Sequence, residues 1–525
     1  MPGFMDNLKS TLNDEKSITE NGAVGYKTTG KKLLDLNFKV SSLRNRSDNE
    51  IIDLFTKAFY EDKLLAVKWL FYVSDVREGM GERRLFRVCM KYLAENHSEI
   101  AHAVLKLIPE YNRWDNAMVL LDTELCDDVI KMVMVQMNED IENMKQKKSI
   151  SLLMKWLPSR NTSSRKTRQT AQKILDATGL TAAQYRKILS KGREYLNIVE
   201  RKMSAGKWSE IDYSAVPSRA NLVYNAAFLR HDETRRREYL SQLQKGETKI
   251  NAGVLFPHDI VHKYFEKKSY WQQSLKNMDA ALEEMWKALP DYVNGNGNTI
   301  CVADGSGSMT STIGGTNVSC LDVANALAIY FSEKCSGQFK NQYITFSERP
   351  QLVDFSKAKT LREKLEIALR HNEVANTNIE AVFDLLLWTA IRNNMPQEEM
   401  PKNVLILSDM EFDSCVTSNS SSYQNTSWGY RRVYAPTQTL FDAIAAKYAQ
   451  HGYKLPRLVF WNICSRTGTI PVKENDLGVA LVSGFSPAIV KMVLSNSTDP
   501  FECLLEQINA PRYDAVEKAI KDLVA

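Results

Sequence analysis

The sequence predicts a protein of two parts, an all-helical N-terminal region of HEAT-like or α-solenoid character and a doubly wound, mostly parallel α/β sheet domain. Three observations lead to this fold class. The chain has 525 residues, which is more than a single hydrophobic core can organise. Residues 33–290 carry the three-and-four spacing of apolar side chains that is typical of helices, and from residue 298 short apolar runs alternate with amphipathic helices. We therefore expect a flexible arm over 1–32, a helical scaffold over 33–290 and a sheet domain over 298–525.

Glycine and proline divide the helical region into many short helices. Apolar residues recur at helical spacing in segments such as EIIDLFTKAFYEDKLLAVKWLFYVSDV, and β-branched alternation is scarce. The breaks between helices are expected at Gly79–Gly81, Pro109, Pro158, Gly179, Pro217 and Pro257. A succession of short helices favours a helical array, although no clean repeat is visible. The first thirty residues are polar and contain acids, so we expect a loose arm there and not a signal peptide.

The second half contains short apolar runs that are bounded by turn residues. The expected strands are 299–304, 342–347, 350–355, 403–409, 457–464 and 478–485. Only the runs at 342–347 and 350–355 are close enough to form a hairpin, so the others predict parallel strands joined by helices. Residues 291–298 are the expected hinge between the two parts. The Ser-, Thr- and Asn-rich segment 414–427 is expected to be a surface loop.

Composition restricts the class of protein. Hydrophobic residues make up 44% of the chain and charged residues 25%, which is ordinary for a globular protein. No apolar run reaches the roughly 18 residues that a membrane span needs. The eight cysteines lack C-x-x-C spacing, which indicates a reduced compartment, and we expect a cytoplasmic protein. The net charge of +5 conceals a basic region, because residues 151–250 contain 20 Lys and Arg against 9 Asp and Glu.

Three segments of the sheet domain carry oxygen-bearing side chains at the ends of predicted strands or at the start of a helix. Asp304, Ser306 and Ser308 form a D-x-S-x-S turn after the first strand. Asp409 ends the strand NVLILSD, and Thr377 stands at the entry to a helix, where its hydroxyl could cap the helix or reach a metal. Two carboxylates and three hydroxyls are hard ligands with little charge, which suits an incompletely filled Mg²⁺ shell.

These three segments resemble those of von Willebrand factor A-type (VWA) domains with a metal-ion-dependent adhesion site (MIDAS). The resemblance covers residues 298 to about 500 and implies that Asp304, Ser306, Ser308, Thr377 and Asp409 surround one Mg²⁺ or Mn²⁺ ion, which binds a carboxylate of a partner protein. Two alternatives stay open: the serines cap the next turn while Asp409 is a lone carboxylate, or the fold is present without a functional metal ligand. Glu411 and Asp413 would make the site more acidic if their side chains pointed inward.

The basic region is a candidate nucleic-acid surface. Cations interleaved with aromatic side chains such as Trp156, Tyr185 and Tyr195 suit a nucleic-acid backbone and stacked bases. A solvated helix face has the same composition, so that interpretation stays open as well. The candidate contacts are Arg160, Arg165, Lys166, Arg168, Arg186, Lys187, Arg235, Arg236 and Arg237.

Three phrases of the helical region resemble those of a family known only as a domain of unknown function, which joins a helical N-terminal part to a VWA-like C-terminal part. They are DVREGMGERRLFR, PEYNRWDNAM and SLLMKWLPSRNTSSRKTR. This two-part plan is similar to that of the Ro-type (TROVE) RNA-binding proteins, in which helical repeats close into a basic ring that takes single-stranded RNA ends. The similarity is architectural, and no RNA-contacting residue carries over to this sequence.

The expected function is that of a non-enzymatic, Ro-like ribonucleoprotein component, which binds RNA through the helical scaffold and a partner through a Mg²⁺-dependent VWA module. The alternative is a protein–protein adaptor that uses the same metal site and binds no RNA. A metal-dependent hydrolase is a third hypothesis, but nucleases of that class concentrate acids and lack two serine ligands. The sequence has no P-loop, G-x-G-x-x-G, H-E-x-x-H or G-x-S-x-G pattern.

Overall fold

The described part of the chain is a helical region followed by a mostly parallel six-stranded sheet with its helices, which confirms the predicted fold class. The structure is a computed structural model. It describes residues 16–19, 24–266, 274–293, 298–314, 316–346, 349–371, 378–412, 421–426, 429–434, 440–471, 479–486, 489, 492 and 499–524. No helix in these ranges is both long and apolar enough to span a membrane. The solenoid form of the helical region stays a prediction.

The chain falls into two compact units, and each of them is discontinuous in sequence. The sheet unit comprises Met1–Ser47 and Leu255–Gln507, and the helical unit comprises Asp48–Val254 and Ile508–Ala525. These limits differ from the predicted domains of 33–290 and 298–525.

Twelve strands are found in the described residues. They are β1 (Lys16–Ile18), β2 (Val24–Tyr26), β3 (Phe265–Glu266), β4 (Ser274–Leu275), β5 (Thr299–Asp304), β6 (Gln342–Phe346), β7 (Gln351–Asp354), β8 (Asn403–Ser408), β9 (Ser421–Thr426), β10 (Gly429–Tyr434), β11 (Arg457–Asn462) and β12 (Val479–Ser483). Six of them form the main sheet in the order β12-β11-β8-β5-β6-β7. All neighbours in this sheet are parallel except β6 and β7, which form the predicted antiparallel hairpin.

The helices of the sheet unit connect and cover these strands. They are α1 (Lys32–Lys39), α15 (Pro257–Tyr264), α16 (Ala280–Lys287), α17 (Cys320–Lys334), α18 (Leu361–Arg370), α19 (Ile379–Arg392), α20 (Leu440–Gln450) and α21 (Pro500–Ile508). The longest of them, α17, packs on β5, β6 and β8. Ser319 begins it with a capping box, because its hydroxyl accepts from the N–H of Asp322 while the Asp322 carboxylate accepts from the N–H of Ser319.

The helical unit contains the remaining helices. They are α2 (Asp48–Glu61), α3 (Lys63–Ser74), α4 (Arg83–Asn96), α5 (Ser98–Val104), α6 (Ile108–Tyr111), α7 (Trp114–Ala117), α8 (Cys126–Lys145), α9 (Leu153–Trp156), α10 (Arg165–Thr178), α11 (Ala182–Tyr195), α12 (Val199–Ser204), α13 (Ser218–His231), α14 (Glu233–Gln244) and α22 (Asp514–Val524). Helix α3 is the central one, since Ala66–Ser74 are all buried and it packs against α2, α4 and α22. A helix that is apolar all round belongs in a core.

The C-terminal segment belongs to the helical unit because it pairs with two buried charges of that unit. The ammonium of Lys68, 2% exposed, lies 2.6 Å from a carboxylate oxygen of Glu517. Asp75, 1% exposed, pairs with the guanidinium of Arg512. Removing one partner of such a pair leaves a buried charge uncompensated, which costs about 3–5 kcal/mol. Residues 508–524 are therefore structural parts of the helical unit.

The N-terminal segment belongs to the sheet unit for a similar reason. Helix α1 packs on β12, and the hydroxyl of Ser483 accepts from the N–H of Ser41 at 3.0 Å. Strands β1 and β2 form a short antiparallel hairpin, and Tyr26 exchanges two backbone hydrogen bonds with Ile470 at 2.7 and 2.8 Å. The described residues of the predicted flexible arm, 16–19 and 24–32, are thus ordered against the sheet unit. Backbone pairing with a distant segment leaves no periodicity in the local sequence.

One further expectation changes. The segment 414–427, expected to be a loop, contains β9, which pairs with β10 in an antiparallel hairpin. Backbone hydrogen bonds to Gly429–Tyr434 hold the segment as a strand, although its polar composition does not predict one. Residues 413–420 and 427–428 lie outside the described residues.

Candidate functional site

The candidate site lies at the point where the strand order of the main sheet reverses. Counted along the chain, the six strands lie in the order 6-5-4-1-2-3, so the first strand, β5, and the fourth, β8, are neighbours. Connections leave these two strands toward opposite sides of the sheet, which opens a crevice beyond their carboxyl ends. Asp304 ends β5 and Asp409 directly follows β8.

The turn after β5 is held by its own carboxylate. One oxygen of Asp304 accepts from the N–H of Ser306 at 2.9 Å, and the other accepts from the hydroxyl of Ser408 at 2.6 Å. The hydroxyls of Ser306 and Ser308 lie 2.9 Å apart. Asp304 and Ser306 are 1% and 2% exposed. The alternating residues of the D-x-S-x-S segment therefore direct their oxygens toward one another.

Asp409 joins this group from the neighbouring strand. Its carboxylate is 2% exposed and accepts a hydrogen bond from the hydroxyl of Ser308. Among the described residues the nearest cation is Arg466, whose guanidinium lies 3.7 Å from a carboxylate oxygen of Asp409. Four of the five predicted ligands, Asp304, Ser306, Ser308 and Asp409, are thus brought together. The fifth, Thr377, lies outside the described residues.

The two carboxylates have too little positive charge around them. Burial raises the pKa of Asp304 well above its ordinary value, and hydrogen bonds from Ser408 and Ser306 offset only part of this effect. Burial and the neighbouring Asp304 carboxylate also raise the pKa of Asp409, against a hydrogen bond from Ser308 and the charge of Arg466. Two buried acids that repel each other cannot both ionise at low cost. A proton or an additional cation is required to keep the pair together.

Glu411 is fully buried, but its carboxylate is bound by another segment. Its oxygens accept from the N–H groups of Arg466 and Thr467, both at 2.9 Å, and from the hydroxyl of Thr467 at 3.0 Å. Met410 adopts a left-handed backbone conformation, φ 63°, between the two acids. Such a conformation costs a non-glycine residue about 1–2 kcal/mol. This turn sends Asp409 to the serines and Glu411 to the loop at 465–467. Asp413 lies outside the described residues.

The residues that are present fit a hard divalent cation. Within the described ranges, no three side chains of His, Cys, Asp or Glu are grouped as a metal site. A softer or more acid-rich centre is therefore not seen there. Two carboxylates and two hydroxyls at one point are instead the oxygen donors that Mg²⁺ and Mn²⁺ accept.

Two residues of this site were not predicted from the sequence. Ser408 bonds to Asp304 because Ala303 is in register with Leu407, which sets the next residues of β5 and β8 side by side. Arg466 follows β11, a third parallel strand whose carboxyl end reaches the same edge. The rule that parallel strands end at one edge was available from the sequence and could have found Arg466. Nothing in the local sequence marks Ser408.

The candidate nucleic-acid residues separate into two groups. Those of the loop before α10 and of α10 and α11 are exposed. This group is Arg160, Arg165, Lys166, Arg168, Arg186 and Lys187. Of these, Arg168 is engaged locally, because its guanidinium donates to the carbonyls of Thr162 at 2.7 Å and Ser163 at 2.9 Å. This group remains available to a ligand.

The second group, on α14, is mostly structural. Arg236 is fully buried among the rings of Tyr213, Phe228 and Tyr239. It also donates to Asn225 at 3.0 Å, so the prediction that it contacts nucleic acid is corrected.

Arg235 and Arg237 both have partners on their own helix or beside it. Arg235 donates to the carbonyl of Ile211 at 2.8 Å and pairs with Asp232, and exposed Arg237 pairs with Glu233. Burial and pairing of a single arginine depend on tertiary contacts that a charge run does not reveal.

Two family models match this chain. The one described as "Domain of unknown function (DUF7788)" matches residues 298–520. The one described as "Domain of unknown function (DUF2828)" matches residues 19–116 and 162–299. Their junction falls where the helical region gives way to the main sheet.

Individual proteins similar to this chain add little on function. "Uncharacterized protein L728" of Acanthamoeba polyphaga mimivirus is 29% identical over 529 aligned positions, which cover 93% of this chain and 86% of that protein. Among solved structures, the Ro (RSR) protein of Deinococcus radiodurans matches with 11% identity, and the match covers 92% of this chain and 93% of that one. Its TM-score is 0.33, too low to carry an argument about fold or function.

Proposed function

We propose that this protein is a non-enzymatic binding protein with two ligands. In the sheet unit, Asp304, Ser306, Ser308 and Asp409 would hold a Mg²⁺ or Mn²⁺ ion that coordinates an acidic oxygen of a partner protein. In the helical unit, the exposed cations of α10 and α11 would bind RNA. One observation carries the proposal. Two buried carboxylates and two serine hydroxyls lie together at the edge of the sheet where the strand order reverses.

The electrostatics of the sheet edge favour a cation. Asp304 and Asp409 are nearly inaccessible to water, and Arg466, at 3.7 Å from Asp409, is the one cation that the described residues place in ion-pair range of either. When bound, a divalent cation offers an unfilled coordination position to an anionic oxygen. The resemblance to VWA domains with a metal-ion-dependent adhesion site supports a partner carboxylate as the source of that oxygen.

A binding role fits the donors better than hydrolysis does. Hydrolytic metal sites need a base or a second metal, and carboxylates usually supply both. Here Glu411, the third acid of the edge, is held by hydrogen bonds from Arg466 and Thr467 and turns away from the serines. The serines in turn bring no additional charge. This arrangement supports a site that holds a ligand in place.

RNA binding by the helical unit is supported by its surface. Residues 151–250 have an excess of basic side chains, 20 against 9 acidic ones, and the cations at the starts of α10 and α11 are exposed. Cations on a surface attract the phosphate backbone without regard to sequence. The choice of RNA follows the resemblance, read from the sequence alone, of the two-part plan to that of Ro-type RNA-binding proteins.

The metal half is tested by thermal denaturation and by Mn²⁺ titration. Mg²⁺ or Mn²⁺ should stabilise the wild type relative to EDTA. Asp409→Asn should abolish this stabilisation, yet raise the stability in EDTA because it removes one of two buried like charges. Asp354→Asn, at an exposed carboxylate at the end of β7, is the matched control and should behave as the wild type. Equal metal stabilisation of wild type and Asp409→Asn would overturn this half.

The RNA half is tested by fluorescence anisotropy with single-stranded and structured RNA across a salt series. We expect submicromolar affinity at low salt and a clear negative slope of log affinity against log salt. Affinity weaker than micromolar with a slope near zero would overturn RNA binding. If the metal half stands in that case, the protein is an adaptor that binds a partner carboxylate only.

A further inference from the structure

Two arginines of the helical unit share one carboxylate near the start of α4, and a third arginine lies one helical turn from one of them. Arg83 and Arg87 lie one turn apart on this helix, so their side chains share a face. Arg87 donates to the amide oxygen of Asn116 at 2.7 Å and to the carboxylate of Asp115 at 3.0 Å. This fixes the Arg87 guanidinium beside the segment that contains α7.

Arg113 approaches the same carboxylate from the other side. Its Nε donates to Asp115 at 2.9 Å, and its guanidinium carbon lies 4.0 Å from the ring centroid of Trp156. Stacking on an aromatic ring and a carboxylate partner together fix the plane of a guanidinium. Asp115 therefore holds two guanidinium groups in place, and its single negative charge does not neutralise a third.

Arg83 completes the cluster one helical turn before Arg87. Arg83 is accessible to solvent, and within the described part of the chain its side chain makes no hydrogen bond or ion pair. Surrounding protein, followed by the charges of Arg113, Arg87 and Arg219, lowers the pKa of Arg83, while Asp115 opposes this effect. Arg83 thus adds a third guanidinium group beside two that already share the carboxylate of Asp115.

The backbone before α4 is built to present Arg83. The segment of residues 75–82 folds back on the end of α3, with the N–H groups of Gly79 and Gly81 donating to the carbonyl of Asp75 at 3.2 and 3.1 Å. A Cβ at Gly79 would lie 1.9 Å from the carbonyl oxygen of Tyr72, so only glycine fits there. Arg83 is consequently the first residue of a fourteen-residue helix, where the helix dipole also favours an anion.

We propose that Arg83, Arg87 and Arg113 form a preorganised site for a phosphate group, whose source is the phosphodiester backbone of single-stranded RNA. The choice of RNA rests on the proposed function, whereas the anion site itself rests on the cluster alone. Planar guanidinium groups match phosphate oxygens in pairs, and a phosphate carries the charge that this cluster lacks. The site lies outside the group of cations predicted from the sequence.

The first experiment tests the anion site with inorganic pyrophosphate, without divalent metal, on the full chain. Pyrophosphate should raise the melting temperature of the wild type above that in chloride of equal ionic strength. Arg83→Gln should weaken pyrophosphate binding in isothermal titration by about tenfold, since a charge-assisted contact is lost. Arg84→Gln is the matched control, because Arg84 loses the same charge one position away and pairs with Asp48 instead.

The results of this experiment are decisive in either direction. A loss in Arg83→Gln that Arg84→Gln does not share supports the site. Equal pyrophosphate binding by wild type and Arg83→Gln, or equal losses in Arg83→Gln and Arg84→Gln, overturns it. Melting curves in chloride check that the variants are folded. Arg83→Gln is expected to fold, because Arg83 makes no hydrogen bond within the described residues.

The second experiment uses a fluorescent single-stranded RNA of about ten nucleotides, a length that suits one binding groove. Arg83→Gln should weaken RNA binding about tenfold and reduce the salt slope by about one. RNA binding that is unaffected by Arg83→Gln overturns this site as the RNA contact, while the proposed function stands. Absence of RNA binding in the wild type, with the pyrophosphate result intact, overturns RNA as the source and the RNA half of the proposed function.

Discussion

The sheet edge and the arginine cluster both collect charges of one sign, but they tolerate them differently. Asp304 and Asp409 are almost completely buried, and burial raises the pKa of both. The arginines stay accessible and share Asp115. Carboxylates can escape repulsion by taking up a proton, whereas a guanidinium keeps its charge at any physiological pH. The acid pair is therefore sensitive to pH and to cations, and the arginine cluster to anions alone.

This difference shows how each site can be stable without its ligand. At the sheet edge, hydroxyls of Ser306, Ser308 and Ser408 hydrogen-bond the carboxylates and one another, so the apo site is satisfied when a proton is shared. The arginine cluster cannot relieve its repulsion by a change of protonation, because its guanidinium groups keep their charge. Within the described residues, Asp115 is the carboxylate that pairs with Arg87 and Arg113, and ligand binding should change the stability of the cluster without changing its protonation.

The largest effect is expected at the sheet edge. Replacing Asp304 and Asp409 together by asparagine should weaken Mn²⁺ binding at least about hundredfold, because both charged ligands are lost. Isothermal titration with Mn²⁺ measures the change, and the arginine cluster provides the comparison. Pyrophosphate binding should stay as in the wild type, and a parallel loss there would mean that the double variant is misfolded.

The next effect concerns the acid that the arginines share. Asp115→Asn should lower the free energy of unfolding by about 1–2 kcal/mol, because Arg87 and Arg113 lose a partly exposed ionic partner. Urea denaturation checks this value. Pyrophosphate should restore more stability to Asp115→Asn than it gives the wild type. A variant that is as stable as the wild type in chloride would contradict the role given to Asp115.

A pH series separates the two sites further. In EDTA, stability should fall by about 1–3 kcal/mol from about pH 5 to about pH 8. Because the pKa of Asp304 and of Asp409 is raised in the folded chain, the folded state binds more protons than the unfolded state above the ordinary carboxyl pKa of about 4. This contribution is lost as pH rises through the raised pKa values. Mg²⁺ or Asp409→Asn should flatten the curve, and a curve unchanged by both would contradict the assignment.

The smallest effects are expected on the exposed basic helices. Arg186→Gln and Lys187→Gln should each weaken RNA binding only a few-fold and lower the salt slope by up to one. Anisotropy across a salt series measures both quantities. Arg237→Gln, where the arginine pairs with Glu233 on an exposed face, is the control and should change neither affinity nor stability measurably. A larger loss in Arg237→Gln would move the RNA surface to α14.

Much of the sheet could be predicted because its signals are local. The run 299–304 coincides with β5, and the buried apolar strands β8, β11 and β12 lie within the predicted runs. Parallel strands end at one edge, so the meeting of Asp304 with Asp409 followed from strand order. The helical region was equally visible from its periodicity.

The remainder depends on contacts between distant residues. Arg236 and Arg237 are adjacent in a basic run, yet one is enclosed by three aromatic rings and the other is exposed. Arg87 and Arg113 share Asp115, and this joins two segments of the chain. Nothing in the sequence of either segment indicates the contact. Charge composition counts such residues alike, whereas burial and pairing are decided only when the chain folds.

The division of the helical unit has a consequence for how the chain is made. Lys68 and Asp75 are buried, but their partners, Glu517 and Arg512, are synthesised only after the whole sheet unit. Asp75 and Arg512 are 437 residues apart, so at ordinary translation speeds this delay is roughly 20–90 seconds. During that time the nascent helices on the ribosome expose the surface that α22 later covers. Until α22 is made, the half-finished unit therefore leaves apolar surface exposed, which favours chaperone binding.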